Sequence, residues 1–104
     1  MSVGTVTVLT VEHPVPDFEA WKRDAFDRDP VGREQGGVRR HRVLRSAGFG
    51  PFMAVVELEF DSRAEAESFG GALAGLWRRV QDRFGWRELP EAQLYELTEV
   101  CEYR

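Results

Sequence analysis

Apolar and polar positions along the chain predict strands and helices in alternation, beginning with a strand over residues 3–11. This segment is β-branched and apolar with interleaved Thr, and Pro14 and Pro16 are predicted to end it. Asp17 then occupies a suitable N-cap position for a first helix over residues 18–27. At helical spacing its apolar side chains fall on one arc, as expected for a helix that packs on a sheet. They are Phe18, Trp21, Ala25 and Phe26.

Residues 36–61 hold two strand-like runs joined by a Gly-rich connection. The runs cover residues 38–45 and 52–60, and residues 46–51 form the predicted hairpin connection. Alternate positions of the second run are apolar and predict a core-facing surface. These positions are Phe52, Ala54, Val56, Leu58 and Phe60.

A second helix is predicted to begin at Ser62, because Ser62 and Glu65 have the spacing of a capping box. Apolar residues continue at helical intervals, and Gly85 is a natural residue just past the helix end. The apolar positions are Ala66, Phe69, Leu73, Leu76, Trp77 and Val80. Residues 94–101 then alternate sufficiently to predict a fourth strand.

The resulting order, βαββαβ, predicts a ferredoxin-like α+β fold when right-handed crossovers are applied. Four antiparallel strands would carry two helices on one face, and residues 1–104 would form a single domain. The other face of the sheet would present Met53 and Val55 to solvent. Because small monomers rarely expose such surfaces, we predict a homodimer that covers this face.

Composition excludes several classes of function. The formal net charge of −4 argues against general affinity for nucleic acid, so no nucleic-acid partner is predicted. No apolar run approaches the roughly 20 residues that span a bilayer, and the first residues lack a basic signal-peptide region, so we expect a cytoplasmic protein without a membrane partner. The single cysteine, Cys101, precludes an internal disulfide. His13 and His41 are too scattered to predict a metal site.

Three segments resemble the antibiotic-biosynthesis-monooxygenase-like proteins, small bacterial members of the dimeric α+β barrel superfamily. They are the Pro-Asp-Phe-x-x-Trp run at residues 16–21, the Gly-Val-Arg-Arg-His-Arg-Val run at residues 37–43 and the Glu-Leu-Glu-Phe-Asp run at residues 57–61. The resemblance implies a dimer with a ligand pocket between sheet and helices in each subunit, often used without a cofactor. It therefore implies no cofactor here. The chain contains no Asn, which disfavours the haem-degrading chemistry of that superfamily.

His41 and Arg39 are the candidate catalytic residues. A neutral imidazole can exchange a proton near neutral pH, and a neighbouring arginine can stabilise an enolate or phenolate. Two hairpin registers are possible, and they differ by one residue. If Val56 lies opposite His41, then Arg39, His41, Val43 and Arg45 face the helices and Glu57 pairs with Arg40. In the shifted register His41 faces Glu57 and Arg39 faces Glu59 on the dimer side.

Aromatic residues are the candidate substrate-binding walls, because ligand pockets are mostly apolar with a few placed polar groups. Trp21 and Trp77 lie on the two predicted helices, Tyr95 lies on the fourth strand, and Trp86 follows Gly85 as a candidate lid. The simpler interpretation is that the helical aromatics only form the core. Arg33, in the connection before the second strand, is a further candidate for binding a ligand carboxylate.

Two functions follow from this pattern. The first is a cofactor-independent enzyme that oxygenates, cyclises or isomerises a small aromatic or polyketide-like metabolite, with His41 as acid or base. The second is a non-catalytic dimeric domain that binds a ligand or serves as an accessory. The shape of the space between the sheet and the helices distinguishes them.

Overall fold

The computed structural model describes residues 6–48, 52–84 and 89–103, and its elements follow the predicted order. The first part of the chain forms strand β1 (Thr7–Val15) and helix α1 (Phe18–Trp21), which continues directly into a π-helical turn (Lys22–Phe26). The hairpin follows as β2 (Val38–Arg45) and β3 (Phe52–Phe60). Helix α2 (Arg63–Phe84) and strand β4 (Glu91–Glu96) complete the described fold.

The four strands form one antiparallel sheet in the order β2-β3-β1-β4, with the helical elements on one face. This is the predicted ferredoxin-like fold. Strands β1 and β3 are central, and Leu9 of β1 lies opposite Leu58 of β3 and Leu94 of β4. The core lies between these strands and α2, where Phe60 and Ala66 are fully buried and Phe69 packs on Phe60 with ring centroids 5.6 Å apart.

Strand β1 extends further than expected, because it runs through Pro14 to Val15. The Val6 carbonyl accepts a hydrogen bond from the Leu97 amide on the β4 side, so by alternation the backbone of Pro14 also points to that side. Strand β4 pairs with β1 only as far as Glu91 opposite Glu12. The missing N–H of Pro14 therefore costs no ladder hydrogen bond. Strand β4 itself is shorter and earlier than the predicted residues 94–101.

Side chains alternate between the two faces along β1. The odd-numbered positions face the helices and are buried, whereas Val8 and Thr10 are only half-buried. The buried set is Thr7, Leu9, Val11, His13 and Val15. Extension of the strand past Pro14 thus places His13 on the core face, in register with Ala54 of β3.

A β-bulge at Arg39 determines the hairpin register. Val38 lies opposite Phe60 and Arg40 lies opposite Glu59, which leaves Arg39 as the extra residue. His41 consequently lies opposite Leu58, and neither residue pairing expected from the sequence occurs. The face assignment of the first register is nevertheless correct for His41, Val43 and Arg45, which share the helix side with the alternate residues of β3.

The first helix is shorter as an α-helix than the predicted residues 18–27. Its N-cap is confirmed, since the Asp17 carboxylate accepts a hydrogen bond from the Ala20 amide at 3.0 Å. From Lys22 the hydrogen bonds widen to the π pattern, and the Asp27 amide donates to the Lys22 carbonyl at 2.8 Å. π-helical turns occur frequently at functional sites.

The capping box of α2 is confirmed by the Glu65 amide, which donates to the Ser62 hydroxyl at 3.2 Å. The Ser62 hydroxyl in turn donates to the Glu65 carboxylate at 3.1 Å. The predicted Gly85 cap lies outside the described residues, as does Trp86.

We call the sheet surface opposite the helices the open face. It combines half-buried Met53 and Val55 with exposed Leu44 and Tyr95, and two ion pairs cross from β2 to β3. Arg40 binds Glu59 through two hydrogen bonds of 2.7 and 3.0 Å, and Arg42 binds Glu57 at 2.8 Å. The expected pair of Glu57 with Arg40 is therefore wrong, because each residue binds a partner two positions further along the opposite strand.

Candidate functional site

A cavity of about 390 Å³ lies between the helix side of the sheet and the helical elements. Its floor is formed by alternate residues of β1 and β3, the same positions whose alternation produces the core face. The described floor residues are Val11, His13, Ala54, Val56 and Leu58. Helix α2 forms one wall with apolar side chains, which include Phe69, Leu73, Leu76, Trp77 and Val80.

The opposite wall comes from the first helical segment and is aromatic. Trp21 and Phe26 line the cavity with ring centroids 5.6 Å apart and planes tilted by 33°. The π-helical turn carries Phe26 and Asp24 into the lining, together with Ala25 between them. Because Trp77 lies on α2, the cavity has indole rings from both helical elements. Such walls suit a flat apolar or aromatic ligand.

His13 is the titratable side chain on the floor of this cavity. It is 7% exposed, and burial lowers the pKa of its imidazole below the ordinary value of 6.5. The ring is therefore neutral at physiological pH, with one nitrogen as donor and the other as acceptor. From the sequence, His13 is considered only as a metal ligand, because the first strand is predicted over residues 3–11 and ends before it. Continuing the alternation of β1 past Pro14 identifies His13 as a core-face residue.

Charged residues lie along the cavity beside the connection that follows the π-helical turn. Arg33 donates to the Phe26 carbonyl at 2.8 Å, and its guanidinium carbon lies 4.0 Å from the centroid of the Phe26 ring. Its backbone amide donates to the Asp29 carboxylate at 2.8 Å. Arg28, Arg83 and Asp24 also line the cavity, so its described lining contains three arginines and two aspartates. The Arg33 guanidinium thus lines the cavity while bound to the Phe26 carbonyl and 3.7 Å from the Asp29 carboxylate.

The two candidate catalytic residues lie elsewhere. His41 is on edge strand β2, is exposed, and packs edge-on against Phe26 with centroids 5.2 Å apart. Arg39 is displaced by the bulge and donates to the Asp61 carboxylate at 2.7 Å. The described lining of the cavity includes neither residue. His41 and Arg39 therefore do not converge in the cavity, because Arg39 leaves the strand alternation and β2 lies at the sheet edge.

The candidate binding residues divide into three groups. Trp21 and Trp77 line the cavity together with His13. Tyr95 lies opposite Val8 on the open face and is 49% exposed, so the sheet separates its hydroxyl from the cavity. Its placement in the predicted pocket is wrong because β4 pairs Leu94 with buried Leu9 on the helix side, which turns Tyr95 to the opposite face. Trp86 lies outside the described residues.

Within the described ranges, no group of three His, Cys, Asp or Glu residues is arranged to hold a metal ion. The helices of the same ranges include none that is both long and apolar enough to cross a bilayer. Cys101 is an exposed free thiol.

No family model and no curated protein sequence matches the chain. Two solved structures are similar in fold. One is a protein of unknown function from Nitrosomonas europaea, with a TM-score of 0.66, 17% sequence identity, and coverage of 99% of both chains. The other is a dimeric ferredoxin-like protein from an uncultured marine organism, with a TM-score of 0.54, 18% identity, and coverage of 95% of this chain and 98% of that one. At these identities the likeness shows the ferredoxin-like fold.

Proposed function

We propose that this protein is a homodimeric binding protein for a small aromatic metabolite, held in the cavity between the sheet and the helices. The observation that supports this function best is the cavity itself. Its volume of about 390 Å³ lies within the ordinary range of small-molecule sites, and its walls carry Trp21, Phe26 and Trp77. We also propose that residues 1–104 form one folding unit, for which a single cooperative unfolding transition is expected.

The cavity favours binding over the catalytic function implied by the resemblance to antibiotic-biosynthesis-monooxygenase-like proteins. That function relied on His41 and Arg39, and both lie outside the described cavity lining. The aromatic walls provide dispersion and stacking contacts for a ring, and Arg33 provides a cation close to the Phe26 ring. Oxygenation, cyclisation or isomerisation of a polyketide-like ligand would need a different acid or base.

The proposed dimer forms through the open face. Leu44 is 41% exposed and lies directly opposite half-buried Val55, and Met53 lies two residues along the same strand. A second copy that covers this patch would bury apolar surface without disturbing the cavity on the other side of the sheet. The marine ferredoxin-like protein is dimeric, which supports a dimeric state for this chain of the same fold.

Quenching of tryptophan fluorescence by a panel of phenols, quinones and naphthalenes tests the binding function, since Trp21 and Trp77 line the cavity. We expect saturable quenching by at least one aromatic compound. In Ala54→Leu, the larger side chain projects from the floor into the cavity and should weaken that binding at least tenfold. Ala54 is 1% exposed and lies on the cavity floor, whereas Ala72 is exposed on α2.

Ala72→Leu is the matched control, because it makes the same substitution away from the cavity and should bind like the unmodified protein. Saturable binding that Ala54→Leu leaves unchanged would place the ligand elsewhere. Absence of saturable quenching across the whole panel would contradict the binding function.

A further inference from the structure

Building on the proposed function, we propose that His13 accepts a hydrogen bond from a hydroxyl group of the ligand. The cavity would thereby select hydroxylated aromatic compounds, phenols or enols, in their protonated form. His13 would be a specificity-determining residue on the cavity floor.

The position of His13 supports this role. Its neighbours on the described floor are Val11, Ala54, Val56 and Leu58, all of which are apolar. Helix α2 adds aliphatic and aromatic side chains along the facing wall. A polar group of a ligand that reaches the floor therefore meets the imidazole, and a polar group buried elsewhere on the floor loses its hydrogen bonds to water.

The chemistry of a buried imidazole explains why the partner is a neutral hydroxyl. Burial disfavours the imidazolium, so the ring offers a neutral nitrogen acceptor at physiological pH. Transfer of the hydroxyl proton to His13 would create a phenolate and an imidazolium in a largely apolar space, which is costly. The O–H bond thus remains intact, and the hydroxyl donates while the imidazole nitrogen accepts.

Paired probes test the inference directly: 2-naphthol, which has the hydroxyl donor, and 2-methoxynaphthalene, which lacks it. We expect the unmodified protein to bind 2-naphthol about fivefold more tightly than the methyl ether, as one net hydrogen bond predicts. His13→Leu should bind both probes with equal affinity. His13→Gln, whose side-chain carbonyl still accepts, should recover a preference for 2-naphthol.

His41→Leu is the matched control, because it replaces the other histidine of the chain at an exposed position and should keep the full preference. A preference for 2-naphthol that survives in His13→Leu would overturn the inference while leaving the binding function intact. Failure of both probes to bind the unmodified protein would overturn the two together. If His13→Leu does not fold, the inference is tested by measuring how the affinity of His13→Gln for 2-naphthol depends on pH.

The pH dependence of the affinity for 2-naphthol is a second, independent test of the role of His13. The other charged groups lining the described cavity are Asp24, Arg28, Asp29, Arg33 and Arg83. Carboxyl and guanidinium groups ordinarily titrate outside the range from about pH 5.5 to about 8, so His13 dominates there. We expect the affinity of the unmodified protein for 2-naphthol to fall on acidification, because protonation converts the acceptor nitrogen of the imidazole into a donor. The affinity of His13→Gln should not change over the same pH range. An identical decline in both proteins would contradict the role of His13.

Discussion

At the residue scale, the two histidines of the chain differ in burial and in their distance from the cavity. His41 has polar neighbours in the sequence and attracts a catalytic interpretation, yet it lies exposed on an edge strand against Phe26. His13 lies between Glu12 and Pro14 in the sequence, yet it is buried on the sheet at the floor of the cavity. Burial and proximity to the aromatic walls are the observations that support the proposed role of His13 in binding.

Stability should depend on pH through His13. Its folded-state pKa lies below the unfolded-state value near 6.5, so on acidification the unfolded chain takes up the proton first. The unfolding free energy is expected to be highest above that value and to decline as the pH falls below it. Urea unfolding at a series of pH values should show a shallower acid decline for His13→Leu than for the unmodified protein. Equal slopes in the two proteins would contradict the burial of a neutral His13.

At the element scale, local signals and long-range contacts contribute differently. Capping residues start both helices where they were expected, at Asp17 and Ser62. The first helix nevertheless changes to a π pattern at Lys22, and Phe26 and Asp24 of this turn line the cavity. Nothing in the apolar spacing of this segment distinguishes an α-helix from a π-helical turn, because both place a similar arc of side chains on the sheet.

Two glycine positions differ in how much room they have for a side chain. A Cβ on Gly36 would lie 2.5 Å from a ring carbon of buried Phe69, whereas a Cβ on Gly71 of α2 would meet no atom within 4 Å. We expect Gly36→Ala to lower the unfolding free energy by about 1–3 kcal/mol, because the core is overpacked. Gly71→Ala should raise it by about 0.5–1 kcal/mol through helix propensity. Chemical denaturation measures both, and equal effects would refute the packing of residue 36 on α2.

At the scale of the whole molecule, the sheet separates the cavity proposed to bind a ligand from the face proposed to form the dimer. Its helix side encloses the cavity, and its open face offers apolar surface flanked by the Arg40–Glu59 and Arg42–Glu57 ion pairs. Surface ion pairs of this kind contribute at most about 1 kcal/mol each to stability, so their main effect in a dimer would be on register and specificity.

Val55→Asp should disrupt the proposed dimer, because it introduces a charge beside Leu44 in the apolar part of the open face. Light scattering at micromolar concentration is expected to give the mass of a dimer for the unmodified protein and of a monomer for the variant. Ala72→Asp, on the exposed surface of α2, should remain dimeric. A monomeric mass for the unmodified protein would contradict the proposal.

The sequence alone determines the order of elements, the caps of both helices, and the face to which most strand residues belong. These properties arise from local periodicity and from hydrogen bonds within a few residues. Trp21 and Trp77 are identifiable as inward-facing for the same reason.

Tertiary structure decides the rest, because strand limits and register depend on partners far away in the sequence. The bulge at Arg39 shifts the pairing of the hairpin and removes Arg39 from the cavity. The absence of a β4 partner beside Pro14 lets β1 continue, which carries His13 into the site. The register of β4 with β1, which pairs Tyr95 with Val8, puts Tyr95 on the open face. The candidate site thus depends on the pairing of whole strands, a long-range property that no local pattern encodes.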